Sequence, residues 1–207
     1  MIVSALHSNR FLAKLKGTNI MKKTFLASLA AAALALTTFT ATAQMKMKDP
    51  MVGGAAMYPT KTIVENAANS PIHTTLVAAV KAAGLVDTLN SAGPFTVFAP
   101  TNDAFAKLPA GTVDTLVKPE SKDALTKILT YHVVSGKLSA KDIAAGIRAG
   151  HGKYEMSTVQ GGKLTATMKG KKIMLTDEKG GMATISTANV FQSNGVIHVI
   201  DTVLMPS

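Results

Sequence analysis

The sequence predicts an α+β fold in which a helical half is followed by an antiparallel sheet. Before Gly150, apolar residues recur at helical spacing, as at Ile72, Leu76, Val77 and Val80. After Gly150 the spacing changes to every second residue, which is typical of strands that bury one face. The order of the two patterns favours several short helices packed around one sheet.

The helix boundaries carry recognisable end signals. One helix is predicted over Thr60 to Ala68, and a second begins with Ser70 as its N-cap and Pro71 in its first turn. Gly84 is expected to end this second helix, because glycine reaches the left-handed conformation easily. Further helix starts are predicted at Ser121 and at Ser139, the latter in a capping box with Asp142.

One strand is predicted inside the helical half. The run Phe95 to Phe98 is β-branched and aromatic and lies between two prolines, which favours a strand. Thr101 is expected to cap the helix that follows. Asp103 lies in the first turn of that helix, where its charge complements the helix dipole. We therefore expect a capping role for Asp103 and not an acid or base role.

The C-terminal third contains the turn residues of a β-meander. Val196 to Ile200 is uniformly apolar apart from His198 and is expected to form a strand buried on both faces. Glycine-containing turns are predicted at Gln160–Gly162, Lys169–Lys171, Lys179–Gly181 and Asn194–Gly195.

The N-terminal segment has the features of a cleavable export signal. Met21-Lys22-Lys23 begins it, an apolar stretch follows, and Ala41-Thr42-Ala43 supplies the small-x-small pattern of a signal peptidase site. The apolar stretch is shorter than the roughly 20 residues that span a bilayer. We expect cleavage after Ala43, which makes residues 21–43 a signal peptide and the product a periplasmic or extracellular protein.

The remaining boundaries follow from this signal. Residues 1–20 are interpreted as a non-structural extension before a start at Met21, or alternatively as a basic extension of the signal. Residues 44–59 are rich in Met, Lys, Gly and Pro and are interpreted as a flexible linker. Residues 60–207 are expected to form one domain, with no further membrane insertion after cleavage and as a monomer.

Charge and cysteine content exclude several functions. The whole chain carries a net charge of +10, but after residue 43 there remain 17 basic and 12 acidic residues, which interleave along the sequence. Because the basic residues are scattered and aromatic residues are few, no nucleic-acid site is expected. The absence of cysteine excludes thiolate metal sites and a cysteine nucleophile.

No catalytic motif is present. The sequence contains no Gly-x-Ser-x-Gly, His-Glu-x-x-His or phosphate-binding glycine loop. The histidines are far apart in sequence, so no metal or cofactor site is expected. His132 and His198 lie among large apolar residues and are predicted to be buried, whereas His73 and His151 are predicted to be exposed. Four methionines in the linker, Met45, Met47, Met51 and Met57, could suit copper(I), but they lack histidines and a repeat.

Three blocks resemble the signature blocks of the fasciclin domain family. They are Phe95-Thr-Val-Phe-Ala-Pro-Thr-Asn-Asp-Ala-Phe105, Tyr131-His-Val-Val134 and Asn194-Gly-Val-Ile-His-Val-Ile-Asp-Thr-Val-Leu-Met-Pro206. The resemblance covers about Thr60 to Pro206. It implies a β-wedge or small sandwich surrounded by short helices, and a non-catalytic module that binds proteins or glycans at cell surfaces or in the matrix.

The resemblance also implies roles for particular residues. Thr101, Asn102, Asp103, His132 and His198 are expected to hold the structure together. In animal relatives, two places are linked to integrin-type contacts, and they align with Tyr131-His132 and with Asn189-Val190 of this chain. Asn189 replaces the family's aspartate, whereas an integrin's metal-dependent site requires a carboxylate. Integrin binding of the animal type is therefore not expected, while Tyr131, His132, Asn189 and Val190 are taken as the candidate partner-binding residues.

These observations lead to one preferred function and two alternatives. The preferred function is an exported, non-catalytic adhesion or interaction domain whose partner is a surface or matrix protein or glycan. The first alternative is a periplasmic carrier of a small ligand or metal, which would use a groove between helices and sheet. The second is a hydrolase with a dispersed site that includes Asp103 and His132.

Overall fold

The computed structural model describes residues 49–207. The predicted extension and signal peptide lie outside the described residues. Within them, the nine strands are β1 Met51–Val52, β2 Ala55–Ala56, β3 Phe95–Pro100, β4 Val133–Ser135, β5 Lys153–Ser157, β6 Lys163–Lys169, β7 Lys172–Thr176, β8 Met182–Gln192 and β9 Gly195–Ile200.

The helices of the described chain are short, and most of them precede the meander. They are α1 Ile63–Ala68, α2 Thr74–Ala83, α3 Val86–Asn90, α4 Asn102–Ala106, α5 Thr112–Leu116, α6 Lys122–Tyr131 and α7 Ala140–Ala149, with a single 3-10 turn at Pro119–Ser121. None of these helices has the length and apolar character needed to cross a bilayer. The predicted α+β class is confirmed.

Seven strands form one sheet in the order β4-β3-β9-β8-β7-β6-β5. All neighbours are antiparallel except β3 and β9, which run parallel with Phe95 opposite Gly195. The two edge strands approach each other, because Val134 bridges Thr158 and the Val159 N–H donates to the Val133 carbonyl at 2.7 Å. The sheet is therefore nearly closed, which leaves little exposed edge for aggregation.

Two apolar cores lie on opposite sides of the β3–β9 pair. Val97 and Ala99 of β3 face the core under the helices, whereas Phe98 faces the core enclosed by the sheet and α7. All six residues of β9 are buried, which confirms the predicted strand with two buried faces. Gly195 is required at its start, because a Cβ there would collide with the Phe95 carbonyl oxygen.

Most of the predicted helix ends are confirmed. Gly84 has a φ of 72° and ends α2, and Ser139 forms a full capping box with Asp142. The predicted starts of the first two helices are wrong. The first begins at Ile63 after the capping residue Thr62. The second begins at Thr74, because Ser70 lies in the turn that precedes it and contacts His73 instead of capping.

The linker prediction is wrong for the part that the structure describes. Strands β1 and β2 form a small hairpin, and Met57 after it is only 2% exposed and packs in the helical core. The buried side chain of Asn66 holds this segment: its amide donates to the Tyr58 carbonyl at 2.8 Å and its carbonyl accepts the Tyr58 N–H at 3.0 Å. The composition of residues 44–59 could not predict this packing, because the residue that holds the segment, Asn66, lies on α1.

Substituting Asn66 by alanine should therefore release the hairpin segment. The change removes both bonds and leaves the Tyr58 backbone groups without these partners, so we expect a loss of roughly 2–3 kcal/mol in the free energy of unfolding. Urea unfolding measures it. Asn69→Ala is the matched control, because Asn69 is exposed at the end of the same helix. Equal losses in both variants would contradict the anchor role.

Candidate functional site

Tyr131 and His132 lie where α6 ends, and both are inside the protein. The Tyr131 side chain is 0% exposed. Its hydroxyl donates to the Lys163 carbonyl at 2.6 Å and accepts the Glu178 N–H at 3.2 Å. Burial raises the pKa of Tyr131 to about 12, so the phenol stays neutral. It joins α6 to the two turns that flank β6 and β7 at one end of the sheet.

His132 connects the end of α6 to the C-terminal segment through its ring. Its Nδ1 lies 2.8 Å from the Ile128 carbonyl, and its Nε2 lies 3.0 Å from the Leu204 N–H. Because a backbone N–H can only donate, Nε2 must accept and the proton must lie on Nδ1. Burial lowers the pKa of His132 to about 4, although the Ile128 carbonyl opposes the shift. The ring is a neutral structural bridge.

His198 and Asn189 form a second bridge. The His198 ring stacks on Phe98, and its Nε2 lies 2.8 Å from the Leu138 carbonyl. Burial lowers the pKa of His198. Asn189 has a φ of 61°, a conformation that asparagine tolerates well. Its side-chain carbonyl accepts the Ala140 N–H at 2.7 Å. The Asn189 side chain therefore supplies a hydrogen-bond acceptor for the first N–H of α7.

The integrin-type residues do not form a common surface. Tyr131 and Val190 are 0% exposed and His132 is 2% exposed, so these three cannot touch a partner in this conformation. Only Asn189 reaches the surface. The expectation of direct partner contact at the other three is corrected, because their side chains are used for packing and for internal hydrogen bonds.

In the Thr101-Asn102-Asp103 turn, the first two side chains hold the structure together. Thr101 accepts the Ala104 N–H at 3.2 Å, which confirms its predicted cap. Asn102 accepts the Thr75 N–H at 3.1 Å and donates to the Pro71 carbonyl at 3.1 Å, so it joins α4 to the start of α2. Asp103 is exposed in the first turn of α4.

His73 is buried, which corrects the prediction that it is exposed. It is 3% exposed, and its Nδ1 lies 2.8 Å from the hydroxyl of Ser70, which is 1% exposed. Its Nε2 has no hydrogen-bond partner within the described chain. Burial lowers the pKa of His73, while the Ala99 carbonyl opposes the shift. A serine and histidine in contact suggest catalysis, but neither is accessible to a substrate.

Sequence reasoning missed the role of two polar residues. Asn194 was predicted only as a turn residue, yet its carbonyl accepts the Ile63 N–H and its amide donates to the Leu89 and Ser91 carbonyls. Asp177 accepts the N–H groups of Lys179, Gly181 and Met205. The partners of Asn194 and the Met205 partner of Asp177 are far away in sequence, so no motif could indicate them. The bond from Lys179 to Asp177 is an Asx turn that the local sequence could have indicated.

An apolar cavity of about 40 Å³ lies between the helices and β3. Its lining is almost entirely aliphatic and includes Leu76, Val80, Val97 and Leu129, with the ring of His132 at one side. In the part of the chain that the structure describes, no three metal-ligating side chains come together. The geometry therefore defines an α+β domain whose buried polar side chains form hydrogen bonds with its own backbone.

Comparison with known proteins agrees with this class. A model of the fasciclin domain matches residues 71–206. Protein sll1483 of Synechocystis is 52% identical over 159 residues, which are 77% of this chain and 81% of that protein. The immunogenic protein MPB70 of Mycobacterium bovis is 43% identical over 145 residues, which are 68% of this chain and 66% of that protein. The chain belongs to the fasciclin domain family.

Other relatives extend the picture. The cell surface glycolipoprotein MPB83 of Mycobacterium bovis is 39% identical over 160 residues, which are 75% of this chain and 64% of that protein. Among solved structures, a FAS1 domain pair from the insect cell adhesion molecule fasciclin I matches with a TM-score of 0.63 and 19% identity. The match covers 71% of this chain and 51% of the domain pair, and it supports the fold alone.

The neutral state of His132 makes stability depend on pH. The unfolded chain binds a proton near pH 6.5, whereas the folded chain binds it only near pH 4. The stability that neutral His132 contributes to the folded state is complete above pH 6.5 and is lost as the pH falls toward 4. Between about pH 7.5 and about pH 5, we expect the free energy of unfolding to fall by about 2 kcal/mol through His132.

Urea unfolding of His132→Gln at both pH values tests this linkage. The variant should lose about 2 kcal/mol of the pH dependence, while a remainder persists because burial also lowers the pKa of His73 and His198. Leu129→Val is the control, since it shortens a buried side chain of the same helix and should destabilise equally at both pH values. An unchanged pH dependence in His132→Gln would show that His132 titrates alike in the folded and unfolded chains, so that burial does not lower its pKa.

Proposed function

We propose that this protein is an exported, non-catalytic binding module that acts in adhesion or interaction at the cell surface or in the extracellular matrix. The observation that carries the proposal is the inward direction of its polar signature residues. Tyr131, His132 and His198 bond to backbone groups in the interior. Side chains whose polar atoms are engaged in internal hydrogen bonds stabilise the fold. A partner is therefore recognised by other residues on the outer surface.

Membership of the fasciclin family supports the same proposal. One relative is named as a cell surface glycolipoprotein, and the domain pair of similar fold comes from a cell adhesion molecule. The signal predicted over residues 21–43 supports a site of action outside the cytoplasm, either in the periplasm or beyond the cell. We infer a protein or glycan partner and a monomeric module.

Crosslinking in the native cells, followed by purification of the exported protein, tests the adhesion role. We expect one or a few surface or matrix components to be recovered reproducibly. His132→Ala serves as a control for fold dependence, because the loss of its two bonds should destabilise the domain by roughly 1–3 kcal/mol. If no component is recovered and the purified protein catalyses turnover of a substrate, the proposal is contradicted.

A second candidate function is that of a carrier for a small apolar ligand. The cavity under the helices favours it only for a ligand of a few atoms, because its lining is aliphatic but its volume of about 40 Å³ is far below the roughly 300–1,000 Å³ of ordinary ligand pockets. The metal version of this candidate is weakened, since Met57, one of the four methionines considered, packs in the core.

Melting experiments under xenon and with copper(I) separate these two versions. A ligand that binds the folded state must raise the melting temperature. Xenon, a small apolar probe matched to a cavity of about 40 Å³, should raise it in the wild type and not in Val80→Phe, whose larger side chain fills the cavity. The absence of heat and of any melting shift at high ligand excess would rule out the carrier function.

A further inference from the structure

Basic side chains gather at one end of the sheet, although basic and acidic residues interleave along the sequence as a whole. The gathering involves two neighbouring turns: the α7–β5 turn and the β6–β7 turn. Every side chain concerned is exposed. We call this surface the basic end, and its members are Arg148, Lys153, Lys169, Lys171 and Lys172.

The strand register brings these residues together. Lys153 at the start of β5 pairs with Thr167, and Lys169 at the end of β6 pairs with Lys172. Paired residues share a face, so Lys153, Lys169 and Lys172 lie on the outer face, opposite the buried Leu164. Directly opposite residues are about 5 Å apart and diagonal ones about 7–8 Å. Lys153, Lys169 and Lys172 therefore form a compact group, which Lys171 in the β6–β7 turn adjoins, while Arg148 lies near the C-terminal end of α7, five residues before Lys153.

No acidic side chain lies in the stretches that flank this group on α7, the β6–β7 hairpin and β8. Residues 143–154, 164–176 and 183–190, which supply most of α7, the β6–β7 hairpin and the adjoining part of β8, contain no Asp or Glu. Asp142 lies at the opposite end of α7 and is held by Ser139. Glu155, two residues beyond Lys153, faces Lys163 at 3.5 Å.

The like charges of the basic end do not stabilise the fold. Two lysines directly opposite each other on adjacent strands destabilise a hairpin, and an opposite charge at either place would stabilise it. Lys169 and Lys172 are such a pair. On the opposite face of the same strand end, Met168 exposes 41% of its surface. An unfavourable cation pair next to an exposed apolar side chain suggests a surface arranged for a partner.

We propose that the basic end docks on an anionic phospholipid surface. Two adjoining turns can meet a plane together, and phosphate groups accept hydrogen bonds from lysine and arginine. Each such cation near an anionic membrane contributes favourably to binding, and Met168 can enter the interfacial region. This proposal deepens the proposed function, because it assigns one partner surface to the exported binding module.

Vesicle flotation tests the proposal with the exported protein, purified with the N terminus that the cell leaves on it. Vesicles of phosphatidylglycerol and phosphatidylcholine in equal parts should bind the wild type at low salt and release it at high salt. Vesicles of phosphatidylcholine alone should not bind it. The triple variant K169Q/K171Q/K172Q should bind the anionic vesicles about 100-fold more weakly.

The matched control is K118Q/K122Q/K127Q, which removes three exposed lysines beside and within α6, close to Glu120 and Asp123. It has the same net charge as the first variant, and we expect binding within about threefold of the wild type. Equal losses in both variants would overturn the assignment, because net charge alone would then explain binding.

Two further outcomes would also overturn the proposal. The wild type could fail to bind the anionic vesicles at low salt, or it could bind soluble anionic polysaccharide and not vesicles. The adhesion proposal is judged separately by crosslinking in cells. If K169Q/K171Q/K172Q recovers the same neighbours as the wild type but no longer binds vesicles, the module is an adhesion domain whose basic end is its membrane contact.

Discussion

The parallel pairing of β3 with β9 is the constraint on which the rest of this structure depends. These two strands separate the two cores, and alternate residues such as Val97 and Phe98 enter opposite ones. A strand that is buried on both faces must be apolar along its whole length and must be satisfied by hydrogen bonds on both edges. The flanking strands β4 and β8 supply these bonds, and the helices cover one face.

Buried polar side chains then attach the irregular segments to this framework. His132 joins α6 to the C-terminal segment, Asn194 joins the β8–β9 turn to α1 and α3, and Asn66 holds the N-terminal hairpin. Each bonds to backbone groups that would otherwise be buried without partners, at a cost of about 1–3 kcal/mol each. A family signature rich in histidine, asparagine and aspartate can therefore reflect structural need and does not require chemistry with a substrate.

Local patterns predicted the elements well, and long-range contacts account for the errors. The capping box at Ser139, the left-handed Gly84 and the two-sided burial of β9 depend on neighbouring residues, so the sequence was sufficient for them. The burial of His73 and the packing of Met57 depend on elements that are distant along the chain. The same holds for the candidate site, since burial of Tyr131 is decided by Lys163 and Glu178.

The position of β9 in the sheet also governs how this chain can acquire its structure. The partner of Phe95 lies 100 residues later, at Gly195, and both cores need the pair. Loop closure over such a distance costs conformational entropy before any contact rewards it, so topologies of this kind fold slowly. Until its last strand emerges, a growing chain cannot complete either core, and it reaches its native state only as a whole.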